Sequence, residues 1–158
     1  NKVTPHMIAL TSPLNAQNST NLKFSSDKGC MNCFVDSNYV GSTVDVSVST
    51  IDEHTRNNQP VLIKIDVEGF ELDVLKGASE TLSKQSLLAV IIEGQTDEVN
   101  DIFRNADFVD VDYYPINRTT QPHIRKKPNR IWIRSSKYEE VAMRLKNAPS
   151  RFIFGNAL

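Results

Sequence analysis

The stretch Val61-Leu62-Ile63-Lys64-Ile65-Asp66-Val67-Glu68-Gly69 decides the fold of this 158-residue chain. A mostly apolar run ends in Asp66, Glu68 and Gly69, which is the pattern of a buried β-strand with an acidic end. In open α/β sheets, ligands bind beyond the carboxyl ends of the strands, so these carboxylates are candidate site residues. The stretch therefore predicts a strand over residues 61–67, followed by a tight turn.

The residues after this stretch continue the alternation of strand and helix. Residues 70–84 carry apolar side chains at helical spacing behind an acidic first turn, which predicts a helix. Residues 87–93 are apolar until their acidic end, as in a parallel strand covered on both faces, and a second helix is predicted over 97–105. Since consecutive parallel strands are usually neighbours, we expect the acidic ends of both strands, including Glu93, at one edge of the sheet.

Further elements are predicted on either side of this core. Residues 6–11 predict a short strand, and residues 12–49 predict a β-rich, hairpin-like excursion. Thr50 and Glu53 form a capping-box pattern, which predicts a helix over residues 51–57. The predicted elements downstream are strands 108–114 and 130–134, most simply an antiparallel pair, and a closing helix over 138–146.

Composition restricts the class of protein. The chain has the length of one domain, and its net charge of -1 with interspersed signs favours neither nucleic acid nor an anionic membrane as a partner. No apolar run reaches the roughly 18 residues of a spanning helix, and no signal-peptide pattern starts the chain, so we predict a cytoplasmic protein. Cys30 and Cys33 form a C-x-x-C without the further ligands of a zinc site, and we interpret them as loop thiols.

Four segments, in order along the chain, resemble the FkbM-type methyltransferases. They are Lys64 to Ala78, Ile91-Ile92-Glu93, Tyr114-Pro115 with Arg118, and Asn129-Arg130-Ile131-Trp132-Ile133. The resemblance runs from about residue 44 to residue 134. It implies an α/β fold with a Rossmann-like class I methyltransferase sheet, mostly parallel with an antiparallel C-terminal strand pair. The implied core is βαβαββ over residues 61–134.

The resemblance also implies S-adenosyl-L-methionine (SAM) as cofactor, yet the first motif of the family has no counterpart here. In class I enzymes that motif is a glycine-rich loop after the first strand. The six glycines of this chain, at positions 29, 41, 69, 77, 94 and 155, never form a G-x-G after a strand. We therefore expect residues 1–158 to be the later portion of a single methyltransferase domain that lacks the first strands and is inactive alone.

The resemblance places Asp66 and Glu68 where class I enzymes bring the methyl group and its acceptor together. Direct displacement needs the acceptor held in line with the sulfonium, and it needs a base if the acceptor is a hydroxyl. Asp66 is the first catalytic candidate and Glu68 the second; alternatively they attract the cationic sulfonium, or only cap the next helix. Asp66 and Gly69 are the cofactor-binding candidates, although Gly69 also fits a role in turn geometry. Lys64 either extends to the end of the sheet or pairs with Asp66.

The acceptor side of the site is implied by later segments of the resemblance. Glu93, Tyr114 and Arg118 are the substrate-binding candidates, and for Tyr114 a place in the core is an equal alternative. The predicted partner is a small-molecule methyl acceptor, such as a sugar or a lipid-like molecule, methylated on oxygen. We interpret the basic residues 125–127, together with Arg130, as a solvated loop; the alternative is a positive loop that receives an anionic acceptor.

Two other functions stay open at this level. One is a non-catalytic remnant that serves as an interaction module. The other is a metal-dependent hydrolase built on Asp66, Glu68 and Glu93, because carboxylates suit magnesium or manganese, although no metal is expected without further ligands. If the first strand is missing, strand 61–67 has an open apolar edge, and such an edge invites self-association.

Overall fold

The computed structural model describes residues 9–10, 21–29, 33–36, 38–67, 69–94, 96–122, 129–149, 152–153 and 156–157. Its contacts divide the chain into two compact units. Unit 1 comprises Asn1–Asn58 and Val67–Leu82, and unit 2 comprises Gln59–Asp66 and Ser83–Leu158. The boundary between the units therefore falls inside the acidic stretch, directly after Asp66.

Unit 1 contains a three-stranded sheet. Its strands are β1 (Ala9–Leu10), β2 (Asn21–Ser25) and β3 (Thr43–Ser49), in the order β1-β3-β2. β1 runs parallel to β3, whereas β2 pairs with β3 in antiparallel fashion, with Phe24 opposite Val44. Phe34 bridges back to Phe24, and their rings meet edge to face at 5.3 Å between centroids. β3 is a strand, as the alternation of its apolar and polar residues predicts, but Val44 is 49% exposed rather than on a buried face.

The three helices that the structure describes in unit 1 are short. They are α1 (Ile51–Thr55), α2 (Glu71–Lys76) and α3 (Ser79–Ser83), the last of which ends at the unit boundary. The capping box predicted at the start of α1 is confirmed, because the Thr50 hydroxyl accepts from the Glu53 N–H while the Glu53 carboxylate accepts from the Thr50 N–H.

The prediction of one continuous helix over residues 70–84 is wrong, because α2 and α3 are separated at Gly77 and Ala78. In a continuous helix the Gly77 carbonyl would accept from the Thr81 N–H. Here the Thr81 N–H donates to the Asp52 carboxylate at 2.7 Å, and the Gly77 carbonyl accepts instead from the Asp52 N–H at 3.0 Å. Asp52 of α1 therefore satisfies both groups and allows the chain to break.

Unit 2 is built on a mixed five-stranded sheet. Its strands are β4 (Leu62–Ile65), β5 (Ala89–Glu93), β6 (Phe108–Tyr114), β7 (Thr119–Pro122) and β8 (Asn129–Arg134), in the order β4-β5-β8-β6-β7. β4 and β5 are parallel, and β8 lies antiparallel between β5 and β6. The predicted antiparallel pairing of 108–114 with 130–134 is confirmed. A separate antiparallel pair, β9 (Phe152–Ile153) and β10 (Asn156–Ala157), follows.

Two helices of unit 2 accompany this sheet. α4 (Asp97–Asn105) begins after Thr96, whose hydroxyl accepts from the Val99 N–H, and α5 (Tyr138–Asn147) follows a 3-10 turn. Phe103 of α4 is fully buried, and its ring stacks on Trp132 of β8 at 4.7 Å. The centre of the sheet is therefore a packed apolar core. Among the described residues, no helix has the length and apolar character needed to cross a bilayer.

Two charged residues of the described part of unit 2 are buried, Asp112 and Arg134, and Arg134 is the cation. Arg134, at the end of β8, is 1% exposed and lies over the ring of Phe108, with 4.5 Å between the guanidinium carbon and the ring centroid. Its guanidinium donates to the backbone carbonyls of Leu87 at 2.9 Å, Lys84 at 2.8 Å and Ala106 at 3.2 Å. Arg134 therefore connects β8 to the chain segments that precede β5 and β6.

Candidate functional site

The parallel pairing of β4 and β5 brings two carboxyl groups together in unit 2. Ile65 lies opposite Ile92, so the residues that follow them, Asp66 and Glu93, reach the same edge of the sheet. The expectation that the acidic ends of neighbouring parallel strands share an edge is thereby confirmed for this pair. Glu68, the second catalytic candidate, lies outside the described residues.

Lys64 completes the charged group at this edge. It stands two residues before Asp66 and therefore on the same face of the strand. Its Nζ lies 2.5 Å from Asp66 Oδ2, and the two side chains are 58% and 40% exposed. Of the two interpretations of Lys64 from the sequence, pairing with Asp66 is the one observed.

These contacts determine the charge of Asp66. The hydrogen bond from Lys64 is the main cause that holds the pKa of Asp66 below its ordinary value, and the hydrogen bond with Glu93 acts in the same direction. Slight burial opposes both. Asp66 in turn raises the pKa of Lys64. At neutral pH the end of β4 therefore presents an ionised carboxylate beside an ammonium group, with part of its surface open to solvent.

Further polar side chains reach the same edge on β8 and β6. Asn129 lies opposite Glu93, and β6 runs parallel to β5 because both are antiparallel to β8. The register that pairs Val111 with Ile131, continued by two residues, places Tyr113 level with Asn129. Sequence reasoning missed both Asn129 and Tyr113 as candidates. The alternation of side chains along β6 could have indicated Tyr113. Which face of β6 lies beside Glu93 is known only from the pairing of β8 with both β5 and β6.

The structure places the other two acceptor candidates differently. Tyr114 is the last residue of β6 and half-buried, and strand alternation puts it on the face opposite to Tyr113. Arg118 follows in the turn before β7 with a φ of 53°, and its guanidinium donates to the carbonyl of Ala148 after α5. In this structure Arg118 therefore binds a backbone carbonyl of its own unit, and the acceptor roles of Tyr114 and Arg118 remain predictions.

Arg130 does not belong to a solvated basic patch. Its side chain is 11% exposed and forms an ion pair with Asp110 of β6, which is 12% exposed. The Arg130 guanidinium also lies 6.0 Å from the ring of Trp132, two residues along β8. Since residues 125–127 lie outside the described residues, the prediction of a basic loop there stays untested.

Two glycines next to the acidic strand ends have positive φ values. Gly69 in unit 1 has a φ of 99°, and a Cβ added there would meet no atom within 4 Å. Gly94, directly after Glu93 in unit 2, has a φ of 79°. Glycine adopts this conformation at no steric cost, unlike other residues. For Gly69 the backbone conformation rather than a close contact therefore requires glycine, which agrees with a role in turn geometry.

The thiol and metal predictions can be compared with the described residues in part. Cys33 is a free, half-buried thiol whose sulfur lies 3.9 Å from the ammonium of Lys28, whereas Cys30 lies outside the described range. Within that range, no three His, Cys, Asp or Glu side chains are grouped in a way that could hold a metal ion.

Unit 2 has the α/β class of fold, with a mixed sheet. Charged and polar side chains lie at the carboxyl ends of its parallel strands, which is where open α/β sheets bind their ligands. Residues 3–113 match the family model described as the methyltransferase FkbM domain, and the chain belongs to this family. The match includes Asp66 and Glu93, and it supports methyltransferase activity. Comparisons with curated proteins and with solved structures gave no significant match.

Proposed function

We propose that the protein is a SAM-dependent methyltransferase that transfers a methyl group to an oxygen atom of a small-molecule acceptor at the β4–β5 edge. The observation that carries this proposal is the ionised, partly exposed Asp66 carboxylate at the end of a parallel strand in a chain of the FkbM family. The order β4-β5-β8-β6-β7, with β8 antiparallel, agrees with a Rossmann-like class I sheet whose last two strands are an antiparallel pair.

The charge at this edge suits the reactive part of SAM. SAM carries a sulfonium cation, and an ionised carboxylate open to solvent is the side chain that attracts a cation most directly. When bound, SAM supplies an electrophilic methyl group. Asp66 is the residue that would face that cation. Because the sequence has no G-x-G loop after a strand, we expect these 158 residues to bind SAM weakly.

The remaining residues of the edge would hold the acceptor. The Asn129 side chain is exposed and offers both a donor and an acceptor of hydrogen bonds beside Glu93. Neighbouring strands are separated by about 4.8 Å, so Tyr113 on β6 lies roughly 10 Å from Glu93 across β8. A small hydroxylated molecule spans that distance. Hydrogen bonds at both ends would fix its orientation, which is the main requirement of a direct displacement.

The proposal is tested by comparing a charged and a neutral ligand. SAM has a sulfonium, whereas S-adenosylhomocysteine has a neutral sulfur and is otherwise nearly identical. Asp66→Asn removes the negative charge with little change in shape. Two unit charges at 4 Å in a water-like medium interact by about 1 kcal/mol, so we expect Asp66→Asn to weaken SAM binding about fivefold and to leave S-adenosylhomocysteine binding unchanged.

Binding is measured from changes in the amide NMR chemical shifts of the isotope-labelled chain at millimolar ligand concentrations. The matched control is Asp73→Asn, which removes an exposed carboxylate that pairs with Lys76 on α2. We expect this control to bind both ligands as the wild type does. An equal loss for both ligands in Asp66→Asn would contradict the role of Asp66. A wild-type chain with no SAM-dependent shifts would contradict the proposed function and favour the alternative of a non-catalytic interaction module.

Methyl transfer itself is measured with methyl-labelled SAM and a panel of hydroxylated acceptors, sugars first, on a chain to which the first strands of a class I sheet have been joined, since we expect residues 1–158 to be inactive alone. Label in an ether product that depends on Asp66 is the expected result. Transfer to amines alone would contradict the assignment to oxygen.

A further inference from the structure

The strand registers of unit 2 place three rows of side chains on one face of its sheet, which we call the three-row face. Residues that pair across neighbouring strands share a face, and so do residues two apart along a strand. The first row, at the carboxyl ends of β4 and β5, is polar: Asp66, Glu93, Asn129 and Tyr113. The second row is Lys64, Ile91, Ile131 and Val111, and the third is Leu62, Ala89, Ile133 and Val109.

The two faces of β4 and β5 differ in how well they are covered. On the opposite face, Ile65, Val90 and Ile92 are at most 4% exposed. On the three-row face, Leu62 is 57% exposed and Ile91 is half-buried. Parallel strands are normally buried on both faces, so the apolar side chains of the three-row face lack part of the cover that such strands have.

Helix α5 covers the other side of the three-row face. It contacts β7 and β8, and the Tyr138 hydroxyl at its start lies 2.7 Å from that of Thr120, which pairs with Tyr113 on this face. Beneath this side, Val111 and Ile133 are 3% and 2% exposed. The partly exposed apolar side chains of β4, β5 and β8 therefore form a strip beside the polar row, which we call the apolar strip: Leu62, Ile91 and Ile131.

The size of the apolar strip restricts what can occupy it. Three strands are about 10 Å wide, and the third row lies about 13 Å from the first, which gives an area on the order of 130 Å². A stable protein interface buries about 800 Å² on each partner. The strip is thus too small for a second copy of the chain or another protein, and it has the width of a single hydrocarbon chain.

The one charged residue of the second and third rows does not oppose an apolar occupant. Lys64 places its Nζ 2.5 Å from Asp66 Oδ2, so its charge is held at the polar row. The methylene groups of a lysine can lie along an apolar surface while its ammonium group reaches a polar partner. The three-row face therefore changes from charged and polar to apolar within two residues of each strand end.

We infer that the apolar strip binds the hydrocarbon tail of an amphiphilic acceptor whose hydroxylated head lies at the polar row. The substrate class is then a hydroxylated head joined to a hydrocarbon chain, in place of a free sugar. The role of this molecule as methyl acceptor rests on the proposed function, whereas the binding of its tail does not.

The test uses methyl, butyl and octyl glucosides below their micelle-forming concentrations, with binding measured from amide chemical shifts of the whole 158-residue chain. A CH₂ group that leaves water completely strengthens binding roughly fourfold, so on a surface that covers one side of the tail we expect about twofold for each CH₂. Affinity should therefore rise about eightfold from the methyl to the butyl glucoside. Nuclear Overhauser contacts should join the octyl chain to the methyl groups of Leu62, Ile91 and Ile131.

Leu62→Glu places a charge on the apolar strip at a position that is exposed enough to leave the fold intact. We expect this variant to lose the dependence on chain length and to bind the methyl glucoside as the wild type does, whereas Leu62→Met should keep the dependence. The matched control is Ile116→Glu, since Ile116 is 85% exposed in the turn between β6 and β7. This control should bind all three glucosides as the wild type does.

Equal affinity for the three glucosides would overturn the inference, and so would a chain-length dependence that Leu62→Glu leaves unchanged. Sedimentation provides a further test, because a wild-type dimer that Leu62→Glu dissociates would assign the strip to a second copy of the chain. None of these measurements needs SAM. Chain-length dependence without SAM binding would support the tail site and refute the proposed function, while Asp66-dependent SAM binding without chain-length dependence would do the reverse.

Discussion

Replacing Arg134 by Met tests how strongly one buried cation stabilises unit 2. Methionine keeps most of the apolar length of the side chain and can still cover the ring of Phe108, but it has no donor. The variant loses the three hydrogen bonds that Arg134 makes to backbone carbonyls at 2.8 to 3.2 Å. We expect unit 2 to become clearly less stable, because those carbonyls lose a charged donor inside the protein.

The magnitude follows from the number and kind of these bonds. A hydrogen bond to a charged group contributes about 1.5–3 kcal/mol, and a buried polar group that loses its partner costs about 1–3 kcal/mol. Three such bonds on one guanidinium are not additive, and removing a buried charge recovers part of its desolvation cost. We therefore expect Arg134→Met to lower the free energy of unfolding by about 3 kcal/mol, out of the roughly 5–15 kcal/mol typical of a domain.

Urea unfolding followed by tryptophan fluorescence measures this change. Trp132 is the single tryptophan of the chain, 2% exposed and stacked on Phe103, so it reports directly on the core of unit 2. The matched control is Arg144→Met, since Arg144 is 60% exposed and pairs with Glu140 one helical turn away. That pair contributes about 0.3–0.5 kcal/mol. If Arg134→Met proved as stable as Arg144→Met, the stabilising role of the buried guanidinium would be refuted.

Two further predictions concern unit 1. The hydrogen bond to Asp27 raises the pKa of Tyr39 to about 12. The contribution of this hydrogen bond to stability is therefore present below the ordinary tyrosine pKa of about 10 and is lost as the pH rises through about 12. An ultraviolet titration of the tyrosines should show one that ionises late, and Tyr39→Phe should remove that late step. Asp52→Ala should lower the free energy of unfolding by about 1–2 kcal/mol, because the Thr81 N–H at the start of α3 loses its acceptor. Thermal unfolding monitored by circular dichroism measures this change. The control Asp45→Ala, at an exposed site, should leave the stability unchanged.

The fold was predictable from sequence where local patterns and burial agree. The apolar run of β5, the acidic ends of β4 and β5 and the capping box of α1 each follow from a short segment. The break between α2 and α3 does not, because an aspartate at position 52 captures the N–H of Thr81. β7 was missed for a related reason, since its residues are polar and its strand conformation comes from pairing with β6. In such segments, contacts between residues that are far apart in the sequence determine whether a helix breaks or a strand forms.

The same distinction applies to the candidate site. Asp66 and Glu93 were predicted to share an edge because strand direction alone determines it. Pairing of Lys64 with Asp66 was one of two interpretations, and only side-chain positions separate them. Tyr113 was not predicted, because its face relative to Glu93 depends on the register across β8. Arg130 was assigned to a basic patch, because a sequence does not show that a charge is half of an ion pair with Asp110.

The position of β8 in the sheet has a consequence for how the chain folds during synthesis. β8 is the last strand of this sheet to leave the ribosome, yet it lies between β5 and β6. Until residues 129–134 emerge, β5 and β6 have no partner to join them, and the edge of β5 beside Val90 and Ile92 stays open to pairing with other chains. The nascent chain therefore completes its central sheet late, and a transient chaperone contact at β5 would protect it in that interval.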